Sequence, residues 1–444
     1  MLQLAVRIGE AMLSLGAAAA DVTEAIRRVA RSFGVRCEVD LTFTAILVSH
    51  DPGPGAPPVT VLRVVESRTA DYGRLTRVLE LAADLGDGAG GHQPGTTPSP
   101  PGSVATTPEA VDRRVERAHD LLDEIVSAPH PYRRSVVTAV LSAMAAGVAV
   151  LLGGGVWVVL VAAATTAVID VVVTRLGRWG LPPFFLQAAG AAIATLVAVL
   201  LLVLVPLFPV ELSTLPPSLV VASGIVVLLA GLSLVGAAED AINGFPVTAS
   251  ARVFEVVLLT LGIVVGIGAV LDAARRLDVP FALVDVRSDP APLWLQIIGA
   301  GVVAGAWAMS SYARPRAALL AATVGGGSWL LFTVLSGLGA GPAVASAGAA
   351  VAVGFVAETI SRRTALPAIV TSVCGIVPLL PGLTIYRGLF TLIDESAVVG
   401  AGLQTLLQAA TVGFGLAAGV TLGELLARPV RLRIRRARLP LQTG

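Results

Sequence analysis

A chain of 444 residues that is 55% hydrophobic and 14% charged, with a mean hydropathy of +0.83, is too apolar for a soluble globular protein. The formal net charge of +1 gives no footing for nucleic-acid binding, because the charges gather in the first 135 residues, the loops and the tail. The class is therefore a mainly α polytopic membrane protein with a small N-terminal α/β domain. All 31 basic residues are arginine, a coding bias that points to a bacterial origin.

In chain order, apolar residues recur at Leu2, Val6, Gly9, Leu13 and Gly16, then at Val22, Ile26, Val29 and Phe33. This spacing predicts one amphipathic helix, or two that meet near Gly16. Arg7, Glu10, Asp21 and Glu24 interrupt the apolar residues, so no secretory signal is expected here. From Val35 to Thr44 the period changes to two, which predicts a half-buried strand; the turn Asp51 to Pro58 leads into a second strand, Val59 to Glu66. Helical spacing returns at Tyr72, Leu75, Val78, Ala82 and Leu85. The expected cytoplasmic α/β domain thus covers 1–85. A Gly, Pro, Ser and Thr-rich linker covers 86–107, and a charged juxtamembrane helix opened by Thr107-Pro108-Glu109 covers 108–134.

His50, His92, His119 and His130 share no metal-ligand spacing, and Cys37 and Cys374 stand apart, so no metal and no cofactor is expected. No nucleophile motif is present either, so the chain reads as a non-enzyme. A membrane-bound receptor or enzyme is the reading from another class.

A span needs about 20 apolar residues to cross a hydrocarbon core of about 30 Å. Ten segments qualify: 135–153, 155–174, 184–206, 216–237, 250–272, 291–311, 315–335, 341–360, 366–390 and 400–427. They form two five-span halves, 135–273 and 291–427, followed by a basic tail, 428–444. Arginines beside spans one, two, six, eight and ten fall on one side, which sets both termini in the cytoplasm; the loop after span five, with Arg275, Arg276 and Arg287, is the exception.

Spans four and nine share a motif. At an offset of 151 residues, GIVVLLAGL from Gly224 and GIVPLLPGL from Gly375 agree at seven of nine positions. Gly224, Gly231, Gly375, Pro378, Pro381 and Gly382 mark the expected helix breaks, where Pro removes a backbone donor and Gly lets the chain bend. Paired breaks in two halves of odd span number predict a 5+5 inverted repeat with a binding site near the midplane.

Charges beside these motifs are the candidate site. Asp240, Asn243, Arg252 and Glu255 follow the first copy, and Tyr386 and Arg387 the second. Arginine suits a carboxylate clamp, and acids suit an ammonium group. Asp170, inside span two, and Glu255 are the candidate proton carriers; the structural alternative for Asp170 is a pair with Arg175.

GAAAADVTEAIRRVARSFGV with FTAILVS, SGIVVLLAGLSLVGAAEDAINGFPVTASARVFE, and CGIVPLLPGLTIYRGL together resemble the bacterial threonine/serine exporter family, the ThrE type, over nearly the full length. The resemblance implies efflux of threonine and serine, driven by the proton motive force, across the bacterial plasma membrane. Relatives linked to dicarboxylate export give the alternative substrate class. Ala230 and Ala18 stand where the family pattern has Pro and Glu, which softens the first break and any role of the N-terminal motif.

Overall fold

The computed structural model describes residues 1–53, 56–66, 68–86, 108–204, 217–226, 228, 231–277, 291–364, 367–393 and 399–437. The linker beyond Gly86, the Thr107 cap, Ala230, Arg287 and the last seven residues of the tail lie outside them. The chain divides into two compact units. One comprises Met1–Pro131, Asp240–Ala251 and Ser311–Ala313; the other comprises Tyr132–Glu239, Arg252–Ser310 and Arg314–Gly444.

In the first unit, α1 (Leu2–Ser14) and α2 (Ala19–Ser32) are separate helices. Gly16, at φ +97°, makes the turn between them in a region that other residues avoid. The sheet departs from the expected pair of strands. β1 (Glu38–Leu41), β2 (Ala45–His50) and β3 (Val59–Val64) form an antiparallel meander in that order. Thr42 makes the extra turn, because its Oγ1 accepts the Ala45 N–H at 3.1 Å and its own N–H donates to the Ala45 carbonyl at 2.9 Å. Sequence spacing missed β2 because Ile46, Leu47 and Val48 are all apolar, although only Ile46 and Val48 are buried. Helix α3 (Tyr72–Gly86) and helix α4 (Pro108–Ser127) complete the unit, and Leu4, Ile8, Met12, Ile26, Ile46 and Leu75 form its core.

Two short segments from between membrane helices belong to this unit. Ser311 accepts the Tyr72 N–H on its carbonyl at 2.8 Å, and the Tyr312 ring stacks on His130 with centroids 4.2 Å apart. His130 Nδ1 in turn lies 3.2 Å from Asp71 Oδ2. Thr248 Oγ1 donates to the Leu41 carbonyl at 3.1 Å.

The second unit is wholly helical among the described residues. Its helices are α5 (Arg134–Leu151), α6 (Val156–Arg178), α7 (Pro183–Leu204), α8 (Pro217–Val226), α9 (Gly231–Ile242), α10 (Pro246–Arg276), α11 (Leu293–Ser310), α12 (Pro315–Gly337), α13 (Pro342–Thr364), α14 (Ala368–Ile376), α15 (Gly382–Ile393) and α16 (Val399–Ala437). Eight of them, α5, α6, α7, α10, α11, α12, α13 and α16, are long and apolar enough to cross a membrane. The sequence segments 216–237 and 366–390 are each split, into α8 with α9 and α14 with α15. The 39 residues of α16 reach about 58 Å at 1.5 Å per residue, well past a bilayer core, and carry the helix into the basic tail.

Small residues let these helices touch backbone to backbone. A Cβ at Gly262 would lie 2.5 Å from the Phe184 carbonyl oxygen, and one at Gly266 would overlap that of Ala188. On α16, Gly415 would meet the Ala343 carbonyl at 2.8 Å and Gly419 would overlap that of Ala347. A shift of 159 residues carries Phe184 and Ala188 to Ala343 and Ala347, and a shift of 153 carries Gly262 and Gly266 to Gly415 and Gly419. The α7–α10 pairing is therefore repeated by α13 and α16.

Between α5 and α11 the contact is reciprocal. A Cβ at Gly147 would lie 2.9 Å from the Gly299 carbonyl oxygen, and one at Gly299 would lie 3.2 Å from that of Gly147. Val302 flanks the first glycine at 3.4 Å and Val150 the second at 3.3 Å, and a shift of 152 residues relates both pairs.

Gly266→Ala and Gly419→Ala should each destabilise the protein by about 1–3 kcal/mol through overpacking. Thermal unfolding in detergent would register this as a lowered midpoint. Gly268→Ala, where a Cβ meets nothing within 4 Å, should leave the midpoint unchanged or raise it.

Candidate functional site

The two interrupted helices are built alike. In the first, α8 ends at Val226, the Leu228 N–H turns back to the Ile225 carbonyl at 2.8 Å, and α9 begins at Gly231. In the second, α14 ends at Ile376, Val377–Leu379 form one 3₁₀ turn opened by Pro378, and α15 begins at Gly382 just after Pro381. Here Leu380 donates to the Val377 carbonyl at 3.2 Å and Gly382 to the Leu380 carbonyl at 2.7 Å.

The first segment of each broken helix is seated in the same way. Gly224 faces Thr165 and Ile169 of α6 and Ala194 of α7, with its Cβ position 3.4–3.9 Å from their side chains. Gly375 faces Val324 of α12 and Val353 of α13, and Ser328 donates to its carbonyl at 2.8 Å. The 159-residue shift carries Thr165, Ile169 and Ala194 to Val324, Ser328 and Val353. Where one half satisfies the carbonyl beside its break with a hydroxyl, the other has Ile169, which has none to give.

The second segment of the first broken helix does not stay with its own half. Val235 and Ala238 of α9 are buried with Ala349 and Val353 of α13 and with Val412 and Leu416 of α16. In the other direction Ile385 of α15 packs with Val264 of α10. The two breaks meet where these segments pass. A Cβ at Gly231 would stand 3.4 Å from the Leu380 Cβ, and Leu232, Val377 and Leu380 pack in one cluster with Met144, Val148 and Val303.

The charged residues singled out from the sequence fall in both units. In the first, Asp240 is 1% exposed and its Oδ1 accepts the Ala19 N–H at 3.3 Å. Ala19 opens α2, and Ala18 before it offers no side-chain cap, so the carboxylate supplies one from another part of the chain. Asn243 is exposed in the same segment.

In the second unit, Arg252 and Glu255 are half-buried on α10, and the Arg252 guanidinium lies across Gly236, where a Cβ would overlap Nη1. Arg387 is exposed on α15, after Tyr386. Asp170 is paired with Arg134 of α5, not with Arg175, and accepts the Thr138 hydroxyl at 2.6 Å. Arg134 also donates to Thr174 Oγ1. Among the described residues no His, Cys, Asp or Glu cluster could hold a metal ion. An outward groove lined by Ile297, Gly301, Gly305, Ala318 and Ala322 offers almost no polar group for a charged solute.

Sequence reasoning missed the role of Ser328 and the paired glycines. The Gly262-x-x-x-Gly266 and Gly415-x-x-x-Gly419 spacings were there to be read.

A family model described as "Putative threonine/serine exporter" matches residues 3–93 and 108–274, and a second, "Threonine/Serine exporter, ThrE", matches 296–426. The chain is 38% identical over 442 residues to a Mycobacterium tuberculosis protein named "Probable threonine/serine exporter", covering 97% of this chain and 77% of that one. It is 36% identical over 438 residues to the "Threonine/serine exporter" of Corynebacterium glutamicum, covering 97% and 83%. No solved structure matches the chain.

Two outcomes are expected at these contacts. Ser328→Ala should cost about 1–3 kcal/mol by orphaning the Gly375 carbonyl, measured as a lower unfolding midpoint in detergent. Asp240→Ala should speed amide hydrogen exchange at residues 19–23, with little change at the core helix α1.

Proposed function

The chain belongs to the ThrE threonine/serine exporter family, and from that membership we propose that it carries threonine and serine across the membrane by alternating access, driven by the proton motive force. The repeated contacts carry this reading. Eight continuous helices and two broken ones make ten spans, five in each half, and the reciprocal Gly147–Gly299 contact joins the first span of one half to the first of the other. An odd number in each half turns the second half over relative to the first, so the halves form an inverted repeat, the architecture in which a central site opens to one side and then the other. The arginine distribution, apart from the loop after span five, supports a cytoplasmic side for the N-terminal unit and the basic tail.

The substrate sits where the two breaks meet. Backbone groups released by the breaks, with Arg252 and Arg387 toward the carboxylate and Glu255 toward the ammonium group, suit a small zwitterion. Asp240 already accepts the Ala19 N–H at the start of α2, so Asp240 and Asn243 are left out of the solute-binding set. Asp170 is likewise engaged, by Arg134 and Thr138. Glu255 is the proton carrier.

Purified protein in liposomes with an imposed pH gradient should accumulate threonine and serine and ignore succinate. Arg387→Ala and Glu255→Gln should each reduce this flux about 10–100-fold, the scale of a lost charge-assisted hydrogen bond, with normal protein levels in the membrane. Proton-driven accumulation by Glu255→Gln at the wild-type rate would remove Glu255 from this role, and succinate flux would move the protein to the dicarboxylate class.

A further inference from the structure

We propose that the indole N–H of Trp307 reads the side-chain hydroxyl of the transported amino acid. This rests on the transport reading above and names its specificity contact. Trp307 lies in the last turn of α11, packed against Met144, Val148, Val303, Ala306 and Val377. Leu232 and Leu380, the residues beside the two helix breaks, pack against the same cluster. The ring therefore shares one cluster with the residues beside both helix breaks.

Its Nε1 is fully buried and has no hydrogen-bond partner among the described residues. An indole nitrogen can only donate, so the group that completes it must bring a lone pair. The cluster it packs against is built of valine, leucine, alanine and methionine side chains, which give a carboxylate or an ammonium group nothing to pair with. A neutral hydroxyl oxygen meets both conditions, and the same side chains accept the γ-methyl of threonine. The charged ends of the zwitterion remain with Arg252, Arg387 and Glu255. A buried donor of this kind discriminates strongly, because a solute without the hydroxyl leaves it unpaired.

The test compares isosteric pairs in proteoliposomes: threonine against valine, and serine against alanine. The wild type should prefer the hydroxylated member of each pair. Trp307→Phe keeps the ring and loses the donor, and should lower the threonine-to-valine preference by about 10-fold, chiefly through a raised KM for threonine. An unchanged preference, or an equal loss for threonine and valine, would overturn the proposal.

As a second measurement, a chain with the other four tryptophans replaced by phenylalanine reports on Trp307 fluorescence. Threonine should change the emission and valine should not; no response to threonine also overturns the assignment. Wild-type vesicles that move no amino acid would instead reject the transport reading from which this one starts.

Discussion

A helix that stops inside hydrocarbon leaves amide and carbonyl groups that lipid cannot satisfy, and the organisation of the membrane unit follows from where those groups go. The second break absorbs them with a 3₁₀ turn, two short reverse turns and the Ser328 hydroxyl. Among the described residues the first turns back at Leu228, and it has Ile169 where its counterpart has serine. The two breaks are alike in position and unlike in chemistry. The one with the proline pair is held in part by the Ser328 hydroxyl on the Gly375 carbonyl.

The breaks exist because each interrupted helix serves two cores. Gly224 belongs to a core with Ile169, Ala194 and Ile225, whereas Val235, eleven residues later, belongs to one with Ala349, Val353 and Leu416. The cores are nearly the same object built twice. Ala191, Ala194, Ile225, Ile263 and Ile267 in one correspond to Ala350, Val353, Ile376, Leu416 and Val420 in the other, by the shifts that relate their helices. A straight rod could not leave one and enter the next, so the kink is a packing requirement before it is a binding device. Glycine at 266 and 419 lets the helices of each core approach backbone to backbone.

Much of this was legible in the residues. The Gly224 and Gly375 motifs and the apolar runs gave the broken helices, the long spans and the small α/β unit. Three features escaped for physical reasons. Strand β2 was hidden because Ile46, Leu47 and Val48 show no alternation, and its boundary lies in a hydroxyl contact at Thr42 that spacing does not encode. Asp240 and Arg252 stand close in sequence, yet Asp240 caps α2, more than two hundred residues away, while Arg252 lies over Gly236. Asp170 pairs with Arg134 and not with Arg175, because a residue five positions on lies about 140° round the same helix, while Arg134 faces it from a neighbouring one.

The exchange of segments also governs how the chain comes to be made. When the first half leaves the ribosome and enters the bilayer, Val235 and Ala238 have no lasting partner, since α13 and α16 have not yet been synthesised. The early half gains these contacts only once α13 and α16 have been made. A product truncated before α16 would leave Val235 and Ala238 without the Val412 and Leu416 side chains that help bury them.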